Sequence, residues 1–118
     1  MLLNMLKCKI HRAVVTETDI DYVGSITIDE NVMKSVNMIP FEQVHVRNLT
    51  NGSRLVTYAI PGEAGSGVIC LNGAAAHITR TGDRVIIAAF ASMEEKEAGL
   101  FKPKIAILDK ENKIERLL

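Results

Sequence analysis

Asn51-Gly52 stands between two alternating runs, Gln43 to Leu49 and Arg54 to Ile60, and constrains the fold more than any other stretch of the chain. Asn-Gly suits the left-handed backbone of a tight turn, so the two runs are expected to pair as an antiparallel hairpin. Short β-favouring runs cut by turn residues recur along the chain. Lys7 to Thr16 alternates imperfectly and ends in β-branched residues, which predicts a first strand; Val23 to Ile28 predicts a second and Val68 to Leu71 a short buried one. Thr81-Gly82-Asp83 turns the chain into a strand over Arg84 to Ala91, and Lys104 to Leu108 reads as the last strand.

Helical signals are minor. Asp29 can cap a short helix over Glu30 to Val36, with Val32, Met33 and Val36 on one face and Pro40 fixing the exit. Asn72-Gly73 breaks a strand, and Ala74 to His77 suggests a single helical turn. Ser92 and Glu95 fit a capping box for an acidic helix through Ala98, and the tail from Asp109 reads as peripheral. Six or seven short strands, two or three short helices and no βαβ rhythm predict a mainly β fold, a closed or nearly closed barrel that hides its strand edges.

The 118 residues fit one domain with a small core, built from Val, Ile, Leu, Ala and Met because tryptophan is absent and aromatics are few. Fourteen basic and fourteen acidic residues balance, so no overall field draws the chain to nucleic acid or an acidic membrane. The apolar start, Met1 to Leu6, is too short to span a membrane and lacks a cleavage site, which predicts a cytoplasmic protein. Cys8 and Cys70 lack metal-type spacing and read as reduced core residues. His11, His45 and His77 suggest no metal site, and Gly62, Gly65 and Gly67 lack the Lys-Ser/Thr ending of a phosphate loop.

One dipeptide carries unusual chemistry. Gly24-Ser25 lies between Val23 and Ile26-Thr27-Ile28, in or beside a strand, whereas Gly52-Ser53 and Gly65-Ser66 fall in turns. Glycine leaves a carbonyl open to attack and tolerates strained backbone, and serine supplies a nucleophile. Attack of the Ser25 hydroxyl on the Gly24 carbonyl would give an ester, elimination would leave dehydroalanine, and hydrolysis would leave a pyruvoyl group. Such a ketone forms a Schiff base with an amine and accepts electrons.

Other residues could serve that site. Lys9 and Arg54 are cations within strands, and the fork of Arg54 suits a carboxylate. Thr57 offers a hydroxyl to polarise the Gly24 carbonyl and Tyr58 a phenol to deliver a proton. Neighbours on a strand face opposite ways, so both serve one site only at a twist, a bulge, a barrel mouth or a subunit contact. Backbone amides from Gly73 to Ala75 could form an anion nest.

Lys9-Ile10-His11-Arg12, Tyr22 to Ser25, Asn51-Gly52 to Arg54, Thr57-Tyr58 and Asn72 to Ala76 with Gly82-Asp83 closely resemble the pyruvoyl-dependent aspartate 1-decarboxylase family, in order and with matching spacing. The resemblance implies a double-psi β-barrel over residues 1–118, self-cleaved into residues 1–24 and 25–118. It implies decarboxylation of L-aspartate to β-alanine for pantothenate, by a homotetramer with active sites between subunits, using a covalent pyruvoyl group in place of pyridoxal phosphate or a metal. It also assigns roles. Ser25 becomes the pyruvoyl group, Gly24, Thr57 and Asn72 assist processing, and Lys9 and Arg54 hold substrate carboxylate. Thr57, Asn72, Gly73, Ala74 and Ala75 contact substrate, and Tyr58 protonates the carbanion. Two rival readings stand beside this one: a pyruvoyl decarboxylase of another acidic amino acid, and a non-catalytic barrel that binds a ligand or dimerises.

Overall fold

The imperfect alternation at the start of the chain has a cause in the computed structural model, which describes residues 1–118. The first strand, β1 (Leu2–Val14), pairs antiparallel with Arg84–Glu94 and is irregular between Leu6 and Cys8 and again between Ile10 and Ala13. Each irregularity adds unpaired backbone and shifts the inward parity, so the buried positions run Cys8, Ile10, Ala13. Arg12 occupies the second irregularity with φ of 65°. Lys7 occupies the first, from which its ammonium reaches both Glu42 carboxylate oxygens at 2.8 Å.

Eight further strands follow: β2 (Glu17–Asp19), β3 (Ile26–Asp29), β4 (Gln43–Asn48), β5 (Arg54–Gly62), β6 (Ile69–Asn72), β7 (Arg84–Glu94), β8 (Lys104–Leu108) and β9 (Ile114–Leu117). Their hydrogen-bonded order is β2-β6-β3-β5-β4-β7-β1-β8-β9. Parallel pairings of β1 with β8, β2 with β6 and β3 with β5 are interleaved with antiparallel ones, an arrangement consistent with a double-psi barrel. The β4–β5 hairpin forms as expected, with Arg47 opposite Arg54. Its loop is wider than a two-residue turn: Asn48 exchanges backbone hydrogen bonds with Ser53 and Gly52, and its side chain accepts from Thr50 N and Asn51 N.

Helix α1 (Glu30–Ser35) starts where expected, Asp29 accepting from Asn31 N at 2.8 Å. The same carboxylate accepts from Gly65 N and Gly67 N. Burial alone would raise its pKa, but these three backbone donors, with Lys113 nearby, hold it below the ordinary value. A 3-10 turn over Gly73–His77 replaces the expected single turn almost residue for residue.

Two expectations fail at the chain ends. Ser92 does not cap α2 (Glu95–Ala98); β7 runs on to Glu94, and Ser92 donates to Asn4 Oδ1 at 3.0 Å. The cause is Met1 to Leu6, which supplies β1 with a partner edge for those residues, Leu2 opposite Glu94 and Asn4 opposite Ser92. The tail is ordered and not merely peripheral. It forms exposed β9 and buries Asn112, whose amide bonds Val14 N, Val14 O and Gly67 O.

The core cluster comprises 20 residues, all aliphatic or sulfur-bearing, including Cys8. From β3 and β6 it takes Ile26, Ile28, Ile69 and Leu71, every second residue of each strand. Alternation therefore turns Thr27, Cys70 and Asn72 to the opposite face, and that face belongs to the site.

Candidate active site

Immediately before β3 the backbone takes two consecutive left-handed residues, Gly24 with φ of 68° and Ser25 with φ of 85°. Glycine adopts this region freely. For serine it is a strained conformation, of order ~1–3 kcal/mol, which persists only where the surroundings enforce it. They do so here: Ser25 is 1% exposed, and its carbonyl accepts from Asn72 N at 3.0 Å. Gly24 N donates to Tyr22 O at 2.8 Å, folding the preceding residues into a tight turn. Gly73, with φ of 62°, lies directly beneath; a Cβ there would come within 2.7 Å of Gly24 N and 2.9 Å of Tyr22 O. Position 73 therefore has no room for a side chain against the backbone of Tyr22 and Gly24.

The Ser25 hydroxyl accepts a hydrogen bond from Asn72 Nδ2 at 3.0 Å, and the second amide hydrogen goes to Thr27 Oγ1 at 3.0 Å. Asn72 Oδ1 accepts from the Cys70 thiol at 3.1 Å. Burial, then the charges of Glu17 and Asp19, push that thiol up to about 11, so it remains protonated at neutral pH. Sequence reading placed Asn72 here and missed Cys70 and Thr27. The available signal was their parity: Cys70 is two residues from Asn72, and Thr27 lies opposite Cys70 in register.

Ser25 lies between two cavities. One, of about 240 Å³, is lined by Gly24, Ser25, Thr57, Asn72, Ala74 and Ala75 together with Leu55, Val56 and Ile78. The other, of about 460 Å³, is lined by Ser25, Tyr58, Asp21, Tyr22, Val23, Phe41 and Ile60. Thr57 and Tyr58 face opposite sides of β5, as neighbours on a strand must, yet both reach Ser25 because it belongs to both cavities. The Tyr58 hydroxyl donates to Val23 O at 3.0 Å, against the tight turn.

The two cations lie elsewhere in the chain. Arg54 lines a separate cavity of about 160 Å³ with Arg47 and His45, which shares only Leu55 and Val56 with the first cavity at Ser25. Lys9 lies on β1 between Ala88 and Ile105. Next to it His11 keeps a buried Nδ1 without a hydrogen-bond partner, and burial, Lys9 and Arg12 lower its pKa. One chain therefore brings together Gly24, Ser25, Thr57, Tyr58, Asn72, Gly73, Ala74 and Ala75, while Lys9 and Arg54 line neither cavity at Ser25.

A family model described as aspartate decarboxylase matches residues 1–115. The aspartate 1-decarboxylase of Bacillus subtilis (strain 168) is 52% identical over 118 residues, which cover 100% of this chain and 93% of that protein. The one from Carboxydothermus hydrogenoformans is 55% identical over 117 residues, covering 99% and 92%. That of Myxococcus xanthus is 52% identical over 110 residues, covering 93% and 85%.

Proposed function

Because the chain belongs to the aspartate decarboxylase family, we propose that it decarboxylates L-aspartate to β-alanine with a pyruvoyl group made from its own Ser25. The carrying observation is the pair of left-handed residues at Gly24 and Ser25, the second a buried serine whose hydroxyl is already held by Asn72. Strain in the uncut chain is relieved when the bond between them breaks, which lowers the barrier to its own cleavage.

Processing proceeds in three balanced steps. Ser25 Oγ bonds to the Gly24 carbonyl carbon as the amide C–N bond breaks and the Ser25 nitrogen takes up a proton. Loss of the Ser25 α-proton then expels the Gly24 carboxylate and leaves a carbon–carbon double bond. Water adds and ammonia leaves, giving residues 1–24 with a free carboxylate and residues 25–118 beginning with a ketone. Thr57, which lines the same cavity as Gly24 and Ser25, stabilises charge on the Gly24 oxygen in this reading.

The pyruvoyl carbonyl then supplies an electron sink for an amine-bearing substrate. Asn72 polarises carbonyl oxygen from its place beside Ser25, and the Gly73, Ala74 and Ala75 backbone bounds the substrate. Tyr58 delivers the proton to the carbon that has lost carbon dioxide. In the uncut chain that phenol is occupied by Val23 O, and cleavage turns Val23 into the penultimate residue of a chain end, free to withdraw.

Arg54 and Lys9 hold the substrate's carboxylates from a neighbouring subunit of a homotetramer, with active sites between subunits. This reading is supported by the separation of Arg54 from Ser25 within one chain and by apolar exposure around the cavities: Val23 is 85%, Phe41 76% and Val56 53% exposed. The product β-alanine would serve pantothenate synthesis in the cytoplasm. Equimolar β-alanine and carbon dioxide from purified, cleaved protein given L-aspartate is the expected result, with glutamate a poor substrate. Equal turnover by Ser25→Ala would refute the pyruvoyl mechanism, and preference for glutamate would refute the substrate.

A further inference from the structure

We propose that Cys70 is a positioning residue for self-cleavage: its thiol, by donating to Asn72 Oδ1, fixes which end of the Asn72 amide faces the Ser25 hydroxyl. This rests on the reading that Ser25 cuts its own chain.

The hydroxyls of Ser25 and Thr27 can each donate or accept, so neither by itself selects an amide orientation. The third partner selects it. With Oδ1 toward Cys70, the amide places both of its N–H donors on hydroxyl oxygens, at 3.0 Å each, and its carbonyl on the S–H at 3.1 Å. Reversed, the amide would point its two donors at a single sulfur, a weak acceptor, in a buried place where an unmatched donor is costly. The observed orientation makes Ser25 Oγ an acceptor toward Asn72 and leaves the serine's own hydrogen to be given up as Oγ attacks Gly24. Reversal would tie that hydrogen to Oδ1.

Strand geometry makes the arrangement rigid. Cys70 and Asn72 are alternate residues of β6, which pairs with β3 on one side and β2 on the other, and Thr27 lies directly opposite Cys70. Cys70 is 6% exposed and its thiol stays protonated through the neutral range, so the donor is present wherever the enzyme works.

The experiment compares purified uncut precursors of wild type, Cys70→Ser, Cys70→Val and Cys70→Ala, following cleavage by intact mass and stability by urea denaturation. Serine keeps a donor; valine keeps bulk without one. Cleavage by Cys70→Val and Cys70→Ala is expected to slow about tenfold, with Cys70→Ser within about threefold of wild type. Buried serine is the more polar substitution, so Cys70→Ser should be no more stable than Cys70→Val while cleaving faster. Rates that follow stability, or a valine variant cutting at the wild-type rate, would overturn the proposal; Cys70→Ala decides the matter if valine prevents folding. A wild-type chain that never cuts would instead refute the underlying reading, and this proposal with it.

Discussion

Gly73→Ala isolates the close approach of residue 73 to the backbone of Tyr22 and Gly24. The new methyl would lie 2.7 Å from Gly24 N, 2.9 Å from Tyr22 O and 3.0 Å from Gly24 Cα, all backbone atoms that cannot rotate away. The left-handed φ of 62° costs alanine about 1–2 kcal/mol. Forcing apart a packed backbone adds about 1–3 kcal/mol, for a total of about 2–5 kcal/mol. Gly52 provides the control: its φ is 79°, but nothing lies within 4 Å of an added Cβ, so Gly52→Ala bears only the conformational cost. Both substitutions belong in a Ser25→Ala background, so that every chain stays uncut, with stability read from urea denaturation midpoints at constant slope. With Ser25 restored, Gly73→Ala should also cut slowly, because Tyr22 to Gly24 must move off the turn. Equal destabilisation by the two alanines, within about 0.5 kcal/mol, would refute the close approach, since typical mutational effects resolve larger differences.

Tyr58→Phe should still cleave, yet give β-alanine at a rate reduced at least tenfold or convert its pyruvoyl group to an amine; full product yield by amino-acid analysis would remove Tyr58 as proton donor. Arg54→Ala should raise KM for aspartate at least tenfold with cleavage unchanged, and an unaltered KM in the carbon dioxide assay would count against a carboxylate contact. Alkaline pH should destabilise the fold through Cys70. Its pKa lies near 11 folded and 9.0 unfolded, so the unfolded thiol loses its proton first and stability falls as pH rises between those values. The full effect is about 2–3 kcal/mol by linkage. The contribution is read as the difference between wild-type and Cys70→Ser denaturation curves, and parallel curves from pH 9 to 11 would contradict it.

The β character, the hairpin around Asn51-Gly52, the Asp29 cap and the aromatic-free core were legible because each depends on local alternation or a short-range hydrogen bond. What escaped depends on partners distant in sequence. The parity shift in β1 exists because β7 imposes a register that breaks at Lys7 and Arg12. Ser92 looked like a cap until Asn4, 88 residues away, claimed its hydroxyl. At the site, Gly24, Ser25, Thr57 and Tyr58 stood out by residue type and Asn72 only through the family resemblance, and the two cavities that share Ser25 were not legible. Cys70 read as a reduced core residue from its lack of metal-type spacing, and it is free and buried; its bond to Asn72 went unread, although the two are alternate residues of one strand.

Intact mass under denaturing conditions, on freshly purified protein, tests self-processing at Ser25 most directly. The expected result is two chains, residues 1–24 and residues 25–118, the larger lighter by one ammonia than a chain beginning with serine. A single chain of 118 residues that stays uncut after prolonged warming and still decarboxylates aspartate would contradict the account.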